Sequence, residues 1–181
     1  MIYLFLATGF EECEALAPLD ILRRADIEIK TVGIGGKHIV GSHQIEITAD
    51  IIDNEIALNE DLKGIILPGG MPGTLNLEKS DVVQSAIDFC ASRKLLISAI
   101  CAAPSILGHK NLLIGKKATC FNGFESELSG AEVIDSPVVC DGNFITAYGA
   151  GAAFDFGFEI LKYLKGENES KNLSIQMKYS K

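Results

Sequence analysis

The chain alternates between short runs of consecutive apolar residues and longer segments in which apolar residues recur every three or four positions. Short continuous runs predict strands that are buried on both faces, and the longer period predicts amphipathic helices. The predicted strands cover residues 2–7, 28–33, 64–67, 95–100, 118–120, 138–140 and 144–147, with 40–48 as a hairpin arm. The predicted helices cover residues 14–25, 80–92, 102–109 and 152–165.

Strands that alternate with helices predict an α/β fold, with a mostly parallel central sheet covered by helices on both faces. The 181 residues fit one domain, and neither a repeat nor a linker interrupts them. We therefore predict a single domain over residues 1–166, followed by a C-terminal tail over 167–181 that packs on it or trails from it. Leu173, Ile175 and Met177 alternate, which predicts an edge segment within that tail.

Charge and hydropathy argue against two classes of partner. The formal net charge is -8 without a basic stripe, so nucleic acid is not expected as the main partner. No apolar run approaches the roughly 20 residues of a membrane span, so no membrane is expected either. The first apolar run is too short for a signal peptide and lacks a basic start. These observations predict a cytoplasmic protein.

One of the five cysteines stands out by its position. Cys101 follows a predicted strand and leads into the small residues Ala102 and Ala103 that open a helix. A helix N-terminus favours a thiolate, and the backbone N–H of Ala102 would face an oxyanion beside the sulfur. The alternative is a cysteine that only packs in an alanine-rich turn. No two of the five cysteines have the close spacing of a zinc knuckle or of a redox pair.

Two other loops follow predicted strands at the same edge of the sheet, where open parallel sheets bind ligands. One contains the pair Gly69 and Gly70, whose N–H groups are candidates for an oxyanion hole, although an ordinary tight turn explains them equally well. The other contains Glu11, Glu12 and Glu14. A carboxyl that faces the thiol should keep its proton and exchange it with the sulfur. Glu14 is the best candidate because it leads directly into the helix, and helix capping explains the other two.

The histidines do not complete a cysteine–histidine pair. His109 lies eight residues beyond Cys101, about 12 Å along the helix axis, while His38 and His43 fall in the hairpin region. No metal-ligand spacing or nucleotide-binding pattern appears, so we predict neither a metal nor a cofactor.

Four motifs together resemble the ThiJ/PfpI superfamily, in the branch of the parkinsonism-associated deglycase (glyoxalase III-like) and its bacterial relatives. The motifs are residues 9–14 (GFEECE), 67–70 (LPGG), 99–104 (AICAAP) and 148–152 (YGAGA). The resemblance implies a flavodoxin-like three-layer sandwich and a homodimer. It also implies that Cys101 is an oxidation-sensitive nucleophile with Glu14 as its protonated partner. Gly70 and Ala102 would then supply oxyanion N–H groups, and Arg24 would lie near the pocket and the dimer contact.

The chain also departs from the pattern. The histidine that follows the nucleophile in the protease-like branch is Ala102 here, and a pocket histidine of close relatives corresponds to Phe121. His43 stands where some relatives carry an arginine from the partner subunit. These differences leave a cysteine–glutamate pair.

The resemblance implies an enzyme that acts on small reactive aldehydes, such as a glyoxalase III or protein deglycase that converts methylglyoxal to lactate. One alternative is a non-catalytic sensor of oxidative stress, or a stress chaperone, that works through oxidation of Cys101. A cysteine peptidase is the weaker alternative, since the histidine is missing.

Overall fold

The structure is a computed structural model that describes residues 1–179; residues 180 and 181, the end of the predicted tail, lie outside the described residues. The strands are β1 (Ile2–Leu6), β2 (Ile29–Gly33), β3 (His38–Val40), β4 (Glu46–Thr48), β5 (Ile51–Ile52), β6 (Gly64–Leu67), β7 (Leu96–Ile100), β8 (Lys117–Ala118), β9 (Glu132–Val133), β10 (Val138–Asp141) and β11 (Phe144–Ala147). The α-helices are α1 (Glu12–Arg24), α2 (Gly73–Glu78), α3 (Asp81–Arg93), α4 (Pro104–His109), α5 (Ala153–Lys165) and α6 (Glu167–Gln176).

Seven strands form the central sheet in the order β10-β11-β7-β6-β1-β2-β5. All neighbouring pairs are parallel except β10 with β11. The chain runs from β1 to β2 on one side and later returns to β6 on the other side of β1. This reversal places the loops after β1 and β6 next to each other at the carboxyl edge of the sheet, where ligands bind in such folds.

The core has two halves, one on each face of the sheet. Apolar side chains of α1, α5 and α6 pack on one face, and those of α3 and α4 pack on the other. Ser80 begins α3 as predicted, because its side chain accepts a hydrogen bond from the Val83 N–H at 3.4 Å. The predicted mostly parallel sheet with helices on both faces is therefore confirmed.

The tail differs from its prediction. Residues 167–176 form the helix α6 rather than an edge segment. Leu173 is buried in the core and the Ser170 hydroxyl donates to the Phe158 carbonyl, so α6 is held against α5. Tyr179 continues this packing, with its ring stacked on Phe154 at 5.7 Å between centroids. Among the described residues no helix is long and apolar enough to cross a membrane.

Candidate active site

Cys101 lies in a left-handed turn directly after β7. Its φ angle is +65°, a conformation that L-residues other than asparagine and aspartate rarely adopt. Two backbone hydrogen bonds hold the turn: the Cys101 N–H donates to the Ala147 carbonyl, and the Phe121 N–H donates to the Cys101 carbonyl, each at 2.8 Å. The side chain remains partly exposed. The strained turn therefore fixes a thiol where a small molecule can reach it.

Glu14 approaches the thiol from the first turn of α1. That turn begins at Glu11, whose Oε2 accepts the Glu14 N–H at 2.8 Å as the helix N-cap. The Glu14 side chain is fully buried, and its Oε2 accepts the Gly69 N–H at 3.0 Å. Its side chain also shares a hydrogen bond with the Cys101 thiol. Its Oε1 is buried and has no hydrogen-bond partner among the described residues.

The loop after β6 joins these two residues. A Cβ atom at Gly69 would lie 2.5 Å from the Cys101 Cβ and 2.6 Å from the Glu14 Oε2, so a side chain there would separate them. Gly70 has φ of +89°, and it directs its N–H to the sulfur, as Ala102 does. The N–H groups of Gly70 and Ala102 thus both face the sulfur; their role as oxyanion donors stays a prediction. Gly69 differs from its prediction, because its N–H is used to position Glu14.

Burial sets the protonation of both groups. Desolvation raises the pKa of Glu14 from 4.5 to about 7, against the hydrogen bonds from Cys101 and Gly69. Desolvation, followed by the charge of Glu14, raises the pKa of the Cys101 thiol to about 12, while the N–H groups of Gly70 and Ala102 act in the opposite direction. The expected thiolate at a helix start is therefore corrected: the helix effect is outweighed by burial and by an ionised Glu14. When Glu14 carries the proton, its charge is removed and its O–H can donate to the sulfur.

The structure does not bring Arg24 to this pocket within one chain. Arg24 is the last residue of α1, ten residues beyond Glu14, which is about 15 Å along the axis. Its Nε donates to Asp20 at 2.7 Å, and both side chains are exposed. A role for Arg24 in substrate binding stays a prediction that depends on a second subunit.

The histidines lie apart from the thiol, as predicted. The ring of His109 bridges Glu78 at 2.5 Å and Glu127 at 2.8 Å. His43 contacts Glu12, and His38 contacts Glu46. The carboxyl of Glu14 is thus the titratable group that meets the Cys101 thiol.

Two residues outside the predicted set of site residues also border the pocket; the resemblance had already placed position 121 near it. A Cβ atom at Gly149 would lie 3.2 Å from the Phe121 ring and 3.9 Å from the Glu14 Oε1. Phe121 is half exposed, so its ring forms an apolar side of the entrance. The YGAGA motif at residues 148–152 was the available signal for Gly149, but only the fold shows that this loop reaches Glu14.

Comparison with known proteins decides the family. The DJ-1/PfpI family profile matches residues 1–163. The chain belongs to the DJ-1/PfpI family. It is 33% identical to the protein dj-1beta of Drosophila melanogaster over 172 residues, which cover 93% of this chain and 91% of that protein. It is 27% identical to the glutathione-independent glyoxalase DJR-1.2 of Caenorhabditis elegans over 165 residues, which cover 90% of this chain and 87% of the other.

A solved structure agrees with this assignment over nearly the full length. Oxidized DJ-1 of Toxoplasma gondii superposes with a TM-score of 0.94 at 26% identity, covering 99% of this chain and 98% of that one. The resemblance inferred from the four motifs and its flavodoxin-like fold are thereby confirmed.

Proposed function

We propose that this DJ-1/PfpI family member is a cysteine-dependent enzyme that acts on small reactive aldehydes without glutathione, converting methylglyoxal to lactate. The observation that carries the proposal is the contact between the Cys101 thiol and a buried Glu14 whose pKa is near 7. The glyoxalase name of the nematode relative supports the same chemistry. Removal of early glycation adducts would use the same pair of residues.

The first step adds the thiol to the aldehyde carbon. The sulfur forms a bond to that carbon, the C=O bond becomes a C–O bond, and the thiol proton passes to the oxygen by way of Glu14. The product is a hemithioacetal. During the addition, the N–H groups of Gly70 and Ala102 stabilise negative charge around the sulfur and the new oxyanion.

The second step moves hydrogen between the two oxidised carbons. The Glu14 carboxylate removes the proton from the carbon that carries sulfur, giving an enediol, and returns a proton to the neighbouring carbon. The result is a thioester of Cys101 with lactate. Water then cleaves the thioester, releasing lactate and restoring the thiol, so one methylglyoxal and one water give one lactic acid.

Lactate formation from methylglyoxal by the purified, reduced protein tests this proposal. Cys101→Ser and Glu14→Gln should each reduce turnover by at least about 100-fold, because each removes a group that takes part in bond formation or proton transfer. Cys140→Ser, which replaces an exposed thiol outside the pocket, is the matched control and should retain activity. Lactate production that survives the change at Cys101 would disprove the mechanism.

Oxidation sensing is a second candidate. Cys101 is partly exposed and faces two N–H groups that can hold the oxygens of a sulfinate. We propose that mild peroxide oxidises Cys101 before the buried Cys90. Peptide mass spectrometry after peroxide treatment measures both sites, and equal oxidation of the two would argue against sensing.

The assembly and location of the protein are also proposals. We propose a homodimer in the cytoplasm, in which a second subunit brings the Arg24 region towards the pocket. Sedimentation velocity tests the dimer, since one chain has a mass of 19.4 kDa; a single species of that mass at micromolar concentration would contradict it.

A further inference from the structure

The Phe121 ring lies beside the nucleophile because the loop after β8 is anchored there. The N–H of Phe121 donates to the Cys101 carbonyl at 2.8 Å, and its own carbonyl accepts the Phe124 N–H at 3.0 Å. The preceding residue, Cys120, is buried. The backbone that carries the ring is therefore fixed relative to the sulfur, so the ring is a preformed wall of the pocket.

The Phe121 ring and the Glu14 carboxyl meet at Gly149. A Cβ atom at Gly149 would lie 3.2 Å from the ring carbon Cδ2 and 3.9 Å from the Glu14 Oε1. The ring and this oxygen are therefore separated by no more than the sum of the two distances. Apolar groups are in contact when their atoms approach within about 4 Å. A substrate that contacts Glu14 thus brings its next substituent within reach of the ring.

We propose, on the basis of the aldehyde chemistry proposed above, that Phe121 selects 2-oxoaldehydes whose ketone carbon carries an apolar substituent, with an aromatic ring preferred. In that chemistry Glu14 moves a proton between the two oxidised carbons, so the group on the ketone carbon lies next to Glu14. Phenylalanine has no hydrogen-bonding group. It recognises this substituent by apolar contact and by ring packing.

The exposure of the ring gives this contact its free energy. Within one chain Phe121 is 50% exposed, so a substituent that covers it removes apolar surface from water. A phenyl group covers more of the ring than a methyl group, and aromatic pairs gain a further contribution from their geometry. A polar substituent would lose its hydration without gaining a hydrogen bond from the ring. A second subunit over the outer side of the ring would leave its pocket side in contact with substrate.

Turnover of two substrates by the full-length, reduced protein tests the preference. Methylglyoxal gives lactate and phenylglyoxal gives mandelate, each by addition of one water, and their intrinsic reactivities cancel when the ratio of kcat/KM values is compared between variants. Phe121→Gln should lower the ratio of phenylglyoxal to methylglyoxal at least about tenfold, because glutamine is polar. Phe121→Leu should lower it less than about threefold, because leucine keeps an apolar side chain.

The matched control is Phe89→Gln. Phe89 is a partly buried phenylalanine near the end of α3, where the Arg93 guanidinium lies 3.9 Å from its ring centroid. This end of α3 leads into the amino end of β7, whereas Cys101 follows the carboxyl end. The same substitution at Phe89 should therefore leave the ratio unchanged.

Alkylation of Cys101 separates this proposal from the proposed function, because it needs no turnover. Iodoacetamide and N-phenyl iodoacetamide both lose iodide to the sulfur, and they differ by one phenyl ring. Peptide mass spectrometry measures the two rates at Cys101 relative to those of free cysteine. The phenyl reagent should be favoured at least about tenfold in the wild type and in Phe89→Gln, and the preference should disappear in Phe121→Gln.

The two measurements give distinct refutations. An alkylation preference that persists in the Phe121→Gln protein would overturn the apolar wall, and an unchanged ratio of kcat/KM values in that variant would overturn the substrate class. Absence of lactate from the wild type, together with an alkylation preference that Phe121→Gln abolishes, would overturn the proposed function while supporting recognition of apolar groups by Phe121.

Discussion

Replacing Glu14 with glutamine should make the stability of the protein less dependent on pH between pH 5 and pH 8. Glu14 is fully buried, and its pKa rises from 4.5 to about 7, chiefly because burial disfavours the charged form. An acid whose pKa is higher in the folded state than in the unfolded chain stabilises the fold only at pH values where the folded state keeps the proton on that acid. Its contribution is therefore fully present below pH 4.5 and is lost as the pH rises through 7.

The size of the effect follows from proton linkage. With a pKa of 4.5 in the unfolded chain and about 7 in the folded protein, this one group removes about 2.5 kcal/mol of unfolding free energy between pH 5 and pH 8. The Cys101 thiol, with a pKa of about 12, titrates above this window. His43 and His109 also have raised pKa values, but they contribute equally to the wild type and the variant. The difference between the two profiles therefore isolates Glu14.

Urea denaturation at a series of pH values measures this difference. Circular dichroism is a suitable signal because the chain has no tryptophan, and a reductant keeps Cys101 unoxidised. Between pH 5 and pH 8, the unfolding free energy of the Glu14→Gln protein should rise by about 2.5 kcal/mol relative to that of the wild type. Glu132→Gln, at an exposed position of β9, is the matched control and should run parallel to the wild type. If the stability profile of the Glu14→Gln protein runs parallel to that of the wild type, the idea that Glu14 holds a proton near neutral pH is refuted.

Three further substitutions test the packing at Gly69 and two contacts elsewhere in the fold. Gly69→Ala would place a Cβ 2.5 Å from that of Cys101 and should lower aldehyde turnover about 100-fold, whereas Gly36→Ala, with no atom within 4 Å, should leave turnover unchanged. His109→Gln should cost about 1 kcal/mol or less at pH 6 and nothing at pH 9 in urea denaturation, because its two glutamates raise the pKa of a side chain that is 41% exposed. Phe156→Ala should lower the unfolding free energy by about 3–5 kcal/mol, since its ring is fully buried.

The hydrophobic pattern predicted the main strands, and it placed the loops that carry Cys101 and Glu14 at one edge of the sheet. Continuous apolar runs identify strands buried on both faces, and parallel strands bring their carboxyl ends to one edge, so residues far apart in sequence become neighbours. The choice of Glu14 among three glutamates needed the family resemblance. The fold supplies the physical reason: Glu11 caps α1 and Glu12 turns towards the hairpin, which leaves Glu14 facing the thiol.

Three features needed the folded structure. The alternation of Leu173 and Ile175 predicted an edge segment. In the helix α6 these two residues instead lie on different faces, since Leu173 is buried and Ile175 is 61% exposed. The raised pKa of Cys101 depends on burial, which neighbouring sequence does not reveal. His43 contacts Glu12, which lies 31 positions away in the sequence. The register of the hairpin creates this contact, and sequence spacing does not reveal that register.

The pairing of a thiol with a carboxyl, without histidine, favours additions over amide cleavage. An aldehyde has no leaving group, so the proton that leaves the Cys101 sulfur can pass through Glu14 to the substrate oxygen, and one shared proton completes the addition. Cleaving a peptide bond additionally requires protonation of a departing amine, the step that histidine performs in cysteine peptidases. The described part of the chain offers no histidine at the thiol, and its pocket entrance carries Phe121 instead. The geometry therefore favours the proposed carbonyl chemistry over proteolysis. Burial and the charge of Glu14 raise the pKa of Cys101, so the thiol stays protonated until Glu14 and a substrate share its proton.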